Sequence, residues 1–272
     1  DQIMVNKRKH LKRKNKKSSF VKKTYRNFVR LSRKLIYFFC ILIVVGGILF
    51  FFYNNDCLFQ FFIHKQNIVT SREYDGIDVS KYQGKIDWNL VAQDENIQFV
   101  YIKASEGAAK VDKKYFDYIQ GAKNVGLKVG SYHYFIGRKT AKEQFNNFSK
   151  YVDKSSQDLI PMVDVEEAGN RFISRKELQR NLNEFMQMIK EEYGKYPLLY
   201  SQYRFYKEKL SPEFDKYFLF IARYSDTPPQ LNGSGKHNIW QYTEKGKING
   251  IKGFVDLDRL DNGTNLADIS LN

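Results

Sequence analysis

Residues 35–53 read LIYFFCILIVVGGILFFFY, nineteen positions without a charge. A helix crossing a hydrocarbon core about 30 Å thick needs about 20 such residues. A helix packed inside a globular core seldom stays apolar on every face for about five turns. The run therefore predicts a membrane span, with Tyr37 and Tyr53 placed as interfacial anchors. It also divides the chain, because the bulk of any globular fold has to come from the residues beyond it.

Charge gives the expected direction of crossing. The formal net charge is +15, but residues 1–34 hold 14 of the 45 basic side chains and one of the 30 acids. The remaining 31 bases and 29 acids nearly cancel. The positive-inside rule then leaves the basic segment in the cytoplasm and exports the C-terminal bulk. The tail becomes a topology determinant lying on anionic headgroups. Nucleic acid, which a basic chain invites, is not expected as the main partner. A cleaved signal peptide is the competing reading, yet NNDCLFQFF after the run offers no small-residue cleavage site. The expected organisation is a basic tail (1–34), a single-pass signal anchor (35–53), a tether (54–73), a globular domain (74–262) and a polar C-terminal tail (263–272). Cys40 and Cys57 are the two cysteines, so the exported part has neither a disulfide framework nor a zinc spacing.

Beyond residue 74, short apolar runs alternate with helix-like patterns. Strands are expected over 76–80, 99–105, 127–135, 159–166, 197–201, 217–224, 238–243 and 254–260. Helices are expected over 113–126, 141–152 and 174–194, the last opened by Ser174 with Glu177 as a capping box and stopped by Gly194. Alternating strands and helices imply parallel βαβ units. Eight strands in so short a stretch suggest an α/β fold, an irregular TIM-like barrel. The late strands leave no room for full helices between them.

In such a barrel the functional groups sit at the C-terminal ends of the strands. Asp78 ends the first candidate strand and Glu106 follows the second. Tyr132, His133 and Tyr134 lie on the third. Asp164 and Glu166 end the fourth, and Tyr200 ends the fifth. Trp240, Gln241 and Tyr242 lie on the seventh, Asp256 and Asp258 on the eighth. Asp164 and Glu166 are two apart and so share a face, with Val165 on the other and Glu167 out of phase. Two close carboxyls push their pKa values apart, so one can hold a proton at neutral pH beside an ionised partner. Glycosidic cleavage needs that pair. A single acid after a strand is more often a cap or a solvated loop residue, and D-x-E alone is weak; acids at four strand ends are harder to dismiss. His133 reads equally as a polarising group or as a satisfied structural histidine. The sequence has no metal-ligand cluster, no phosphate loop and no nucleophile elbow, so no cofactor is expected.

These residues in this order resemble glycoside hydrolase family 25, the Chalaropsis-type lysozymes. The similarity is carried by GIDVSKYQGKIDW, FVYIKASEG, GSYHYF, PMVDVE, LLYS and WQYTEKGKINGIKGFVDLDRL, covering residues 74–261. The resemblance implies hydrolysis of the β-1,4 bond between N-acetylmuramic acid and N-acetylglucosamine in peptidoglycan. It implies Glu166 as proton donor, Asp164 as its partner, and Asp78 and Asp256 as the other acids of the site. Glu106, Tyr132, Tyr134, Tyr200, Trp240 and Gln241 are the expected substrate-binding residues. The second step stays open between a carboxylate nucleophile and the substrate's own N-acetyl group, with the latter preferred. The basic segment and apolar run stand where many members carry wall-binding modules. The expected setting is the bacterial cell membrane, with the domain outside and acting on nearby wall, for remodelling or to open a passage for an envelope-spanning apparatus. A catalytically silent wall-binding scaffold and a hydrolase of another glycan are the alternatives.

Overall fold

Strand β1 (Gly76–Val79) is four residues long and fully buried, and it is paired on both sides. The structure is a computed structural model and describes residues 74–231, 235–261 and 263–271, with Phe38 and Val44. The chain divides into two units, Asp1–Asn67 and Ile68–Asn272. The expected span at 35–53 lies outside the described residues apart from Phe38 and Val44, which are helical and exposed. Among the described residues, no helix is long and apolar enough to cross a membrane.

In the second unit β1 is followed by α1 (Trp88–Val91), β2 (Phe99–Glu106), β3 (Lys110–Val111), α2 (Tyr115–Asn124), β4 (Lys128–Tyr134) and α3 (Ala141–Ser149). Then come β5 (Met162–Asp164), α4 (Glu167–Asn170), α5 (Arg175–Tyr193), β6 (Leu198–Gln202), α6 (Tyr203–Phe205), β7 (Leu219–Ala222), β8 (His237–Gly246) and β9 (Val255–Leu260). The sheet runs β1-β9-β8-β7-β6-β5-β4-β2, and pairing of β1 with β2 closes it into an eight-stranded barrel. The two-residue β3 is an antiparallel appendage on β2.

Every neighbouring pair from β1 round to β8 is parallel, whereas β9 runs antiparallel to both β8 and β1. The parallel βαβ pattern thus holds as far as β8 and ends at the last strand. The reason is length. Residues 247–254 alone connect β8 to β9, and a parallel crossover needs about a dozen or more. The late helices are absent as expected: residues 223–236 join β7 to β8 without one among those described.

Helix α5 forms where its ends and one apolar face agree. Ser174 Oγ accepts from Glu177 N at 3.2 Å, and Gly194 adopts φ 89° and donates to Lys190 O at 2.8 Å. Leu178, Leu182, Phe185, Met186, Ile189 and Tyr193 form the buried face. On α3 the capping box is complete, with Thr140 and Glu143 exchanging bonds.

The barrel interior is filled by rings. Tyr101 meets Phe99 edge-on at 6.0 Å and leans on Phe220 at 6.4 Å, and Phe220 meets Tyr200 at 5.2 Å. Gly130 of β4 faces the Tyr101 ring so closely that a Cβ would overlap it. Tyr101 cannot retreat, since its hydroxyl donates to Ile160 O at 3.1 Å. Replacing Gly130 with Ala therefore overpacks the interior. The expected loss is about 1–3 kcal/mol, read as a lower thermal midpoint with folded secondary structure retained; an unchanged midpoint contradicts the packing described.

Candidate active site

The parallel strands all end at one face of the barrel, called the mouth here, and the acids gather there. Asp78 on β1 stands in register with Asp256 on β9. The reversal of β9 brings Asp256, at its start, to the mouth and leaves Asp258 deeper, beside Gly76. Asp164 closes β5 in register with Tyr134 and Tyr200 on its neighbours. Glu166, at the start of α4, follows one alternation later, while Val165 is buried on the opposite side and Glu167 is exposed.

Asp78, Asp164, Glu166 and Asp256 line one cavity of about 170 Å³ with Tyr132, Tyr200 and Gln241. Seven of the ten residues expected at the site are thus brought together. Tyr134 adjoins them, hydrogen-bonded to Glu166. Glu106 does not line the cavity: its carboxylate is held by Lys103 at 3.0 Å and Lys110 at 2.6 Å. Trp240 does not line it either. Alternation along β8 turns Gln241 inward and Trp240 outward, where the indole donates to Arg223 O at 2.8 Å and borders a separate pocket with His237 and Arg259. His133 also points away from the mouth. It is buried between Ser105 and Gln144, stacked on Phe185, and burial pulls it down to about 4, which is the structural role.

Sequence reasoning passed over Met162, Tyr224 and Glu244, which complete the cavity, and Lys103, whose charge acts on Asp164 and Glu166. Lys103 had a signal, being a lysine that follows the apolar run Phe99–Ile102 in the same strand. Tyr224 closes the expected strand 217–224 but follows the observed β7, and Glu244 lies in β8 one residue past the expected strand 238–243.

A single amide organises one wall. Gln241 Nε2 donates to Asp78 Oδ2 at 2.6 Å, while its Oε1 accepts from Tyr200 and Tyr224 hydroxyls at 3.0 and 2.9 Å. The two donors fix the amide orientation. On the other wall Asp164 Oδ1 has no hydrogen-bond partner among the described residues.

Burial and like charge raise the acids. Asp164 is pushed well above the carboxylate range by burial and then by Glu166. Burial also raises Glu166, opposed by the Lys103 charge and the Tyr134 hydrogen bond. Asp78 is raised by burial and Asp256. Asp256 is pushed up to about 7 by burial, Glu244 and Glu166. Deep in the barrel Asp258 is raised by burial and by Asp78, and neither of its oxygens has a hydrogen-bond partner among the described residues. The site can thus hold a protonated carboxyl and a carboxylate side by side at neutral pH, which is the equipment for general acid catalysis at an acetal.

A β/α barrel with this pair at its mouth defines a glycoside hydrolase. The comparisons make the class specific: residues 77–251 match glycosyl hydrolases family 25, and the chain belongs to that family. An uncharacterised protein, YegX, of Escherichia coli (strain K12) is 36% identical over 193 residues, 70% of each chain. An autolytic lysozyme of Clostridium acetobutylicum is 33% identical over 188 residues, 69% of this chain and 56% of that one. Among solved structures, a family 25 glycosyl hydrolase from Bacillus anthracis superposes with TM-score 0.63 at 31% identity, over 69% of this chain and 89% of that one. A family 25 lysozyme from Aspergillus fumigatus gives 0.61 at 26%, over 69% and 93%.

Two outcomes follow. Replacing Lys103 with Met removes the charge that favours ionised Glu166 and Asp164, so both titrate higher and the whole pH–rate profile moves to higher pH; a profile that stays put contradicts the coupling. Stability has its own pH signature. The folded state keeps protons on Asp78, Asp164 and Asp258 that the unfolded chain has released above about 4. These groups therefore lose stability as pH rises towards their folded values. Buried His133 works the other way, but only below about 6.5, where the unfolded imidazole gains its proton. As pH rises above about 6.5 urea midpoints should fall, and Asp258→Asn should flatten the decline; midpoints that rise instead contradict it.

Proposed function

We propose that Glu166 is the general acid of a muramidase that cuts the β-1,4 bond between N-acetylmuramic acid and N-acetylglucosamine in peptidoglycan. Family membership supports peptidoglycan hydrolysis in general. The observation that carries the assignment is the Asp164–Glu166 pair, of which Asp164 is buried and Glu166 is the half-buried member that lines the cavity with a raised pKa. Protonated Glu166 gives its proton to the glycosidic oxygen as the C1–O bond breaks and its electrons pass to that oxygen. The substrate's N-acetyl oxygen closes on C1, and Asp164 holds the amide N–H, for which its unpartnered oxygen is suited. Glu166, now a carboxylate, takes a proton from the water that opens the ring, and the configuration at C1 is retained. Asp256, pushed up to about 7, adds negative potential opposite the developing positive charge at C1 when it is ionised, and neutral Asp78 holds the Gln241 amide beside it.

The apolar run at 35–53 would anchor this domain in the cell membrane, with the basic tail inside and the tether limiting its reach to nearby wall. Such confinement suits local remodelling, or opening of the wall for an envelope-spanning apparatus, better than wholesale lysis.

The test uses residues 68–272, which contain the whole closed barrel and its core. They are incubated with purified peptidoglycan beside Glu166→Gln, and new reducing ends are identified by mass spectrometry. The expected result is muramic acid reducing ends, with the rate about 10²–10⁴-fold lower in the variant. Glucosamine reducing ends, equal rates, or wall binding without turnover each overturn the proposal.

A further inference from the structure

The face opposite the mouth, formed by the starts of the parallel strands, carries a second pocket of about 350 Å³. Its walls are the C-terminal end of α5 and the residues leading into β6 and β7. Lys190, Lys195 and Lys216 line it with Tyr196, Tyr217 and Phe218. All three lysines are exposed, and Phe218 is 40% exposed. None of the three has a carboxylate within ion-pair distance among the described residues. Lys190 and Lys216 instead rest their ammonium groups over the rings of Tyr196 and Tyr217, at 4.5 and 5.2 Å, and Lys195 donates to Ser270 O at 2.7 Å. The pocket's own acid, Asp268, is engaged, accepting from Asn265 N at 2.7 Å. Other acids of this face are engaged too: Asp75 accepts from Leu260 N, Asp94 from the Tyr74 hydroxyl, and Asp158 faces Lys123 and Lys128.

We propose that this pocket docks the phosphate headgroups of an anionic bilayer and so turns the catalytic mouth away from the membrane. Lysines supply the charge that anionic headgroups attract, and tyrosine and phenylalanine rings suit the boundary between headgroups and acyl chains. Topology points to the same partner. Tyr74 leads into β1 from this face, so the chain that follows the apolar run joins the barrel on the side where the pocket opens. Residues 54–73 can extend about 70 Å, which limits distance but leaves orientation free. A headgroup site on the floor supplies the orientation that the tether lacks. The inference rests on the membrane reading of residues 35–53, but its test does not involve them.

Residues 68–272 are sedimented with vesicles of phosphatidylcholine alone, or with phosphatidylglycerol added. The combined variant Lys190→Ser, Lys195→Ser, Lys216→Ser is run alongside, and peptidoglycan hydrolysis is measured in solution for both. The expected result is binding to the anionic vesicles only, weakened by salt and about a hundredfold weaker in the variant, with hydrolysis unchanged. Equal binding to neutral vesicles, or full binding by the variant, overturns the proposal. So does tighter binding to soluble poly(glycerol phosphate) than to vesicles, which assigns the pocket to a wall polymer. Hydrolysis is read separately, so failure of the muramidase reading leaves this result interpretable.

Discussion

The site depends on the cost of removing carboxylates from water. Asp78, Asp164 and Glu166 share one small cavity with Asp256, and burial heads the causes that raise each of them. Repulsion between neighbours adds to it. Acids so placed cannot all ionise at neutral pH, and the cheapest arrangement leaves protons among them. A proton held there is one a leaving oxygen can take. Lys103 and the Tyr134 hydroxyl moderate the effect at Glu166, so the same group can afterwards act as a base.

Holding such a cluster together needs a scaffold that does not relax. Closure of the barrel supplies it: each acid leaves a strand bonded on both sides. The reversed last strand is part of the design, because it sets Asp256 in register with Asp78. Phe99, Tyr101 and Phe220 pack together in the barrel interior and line no part of the acid cavity. The Gln241 amide links β8 to β1 through Asp78 and collects two tyrosine hydroxyls from β6 and the segment after β7.

Much of this was legible in the chain itself. The alternation around PMVDVE placed Asp164 and Glu166 on one face, and the caps of α5 lay at Ser174 and Gly194. The direction of β9 was less visible, since strand pattern carries no polarity; only the short connection after β8 hinted at it. Trp240 was misplaced relative to the cavity because its neighbour Gln241 takes the inward position, and period two admits one of the two. Glu106 looked like the other strand-end acids but is held by two lysines, one of them across the hairpin to β3, a pairing that no local pattern announces. Tyr224 reaches the site from the segment after β7 and Glu244 from the far part of β8, where tertiary geometry decides.

Direct titration of Glu166 tests the central claim. With glutamate labelled at the side-chain carboxyl carbon, and Glu166→Gln used to assign the resonance, NMR follows its ionisation in the folded domain. The account predicts a midpoint above the ordinary glutamate value of about 4.3, in a curve broadened by coupling to Asp164. A simple midpoint at or below that value would mean that solvent and Lys103 outweigh burial, and Glu166 could not then be the proton donor at neutral pH.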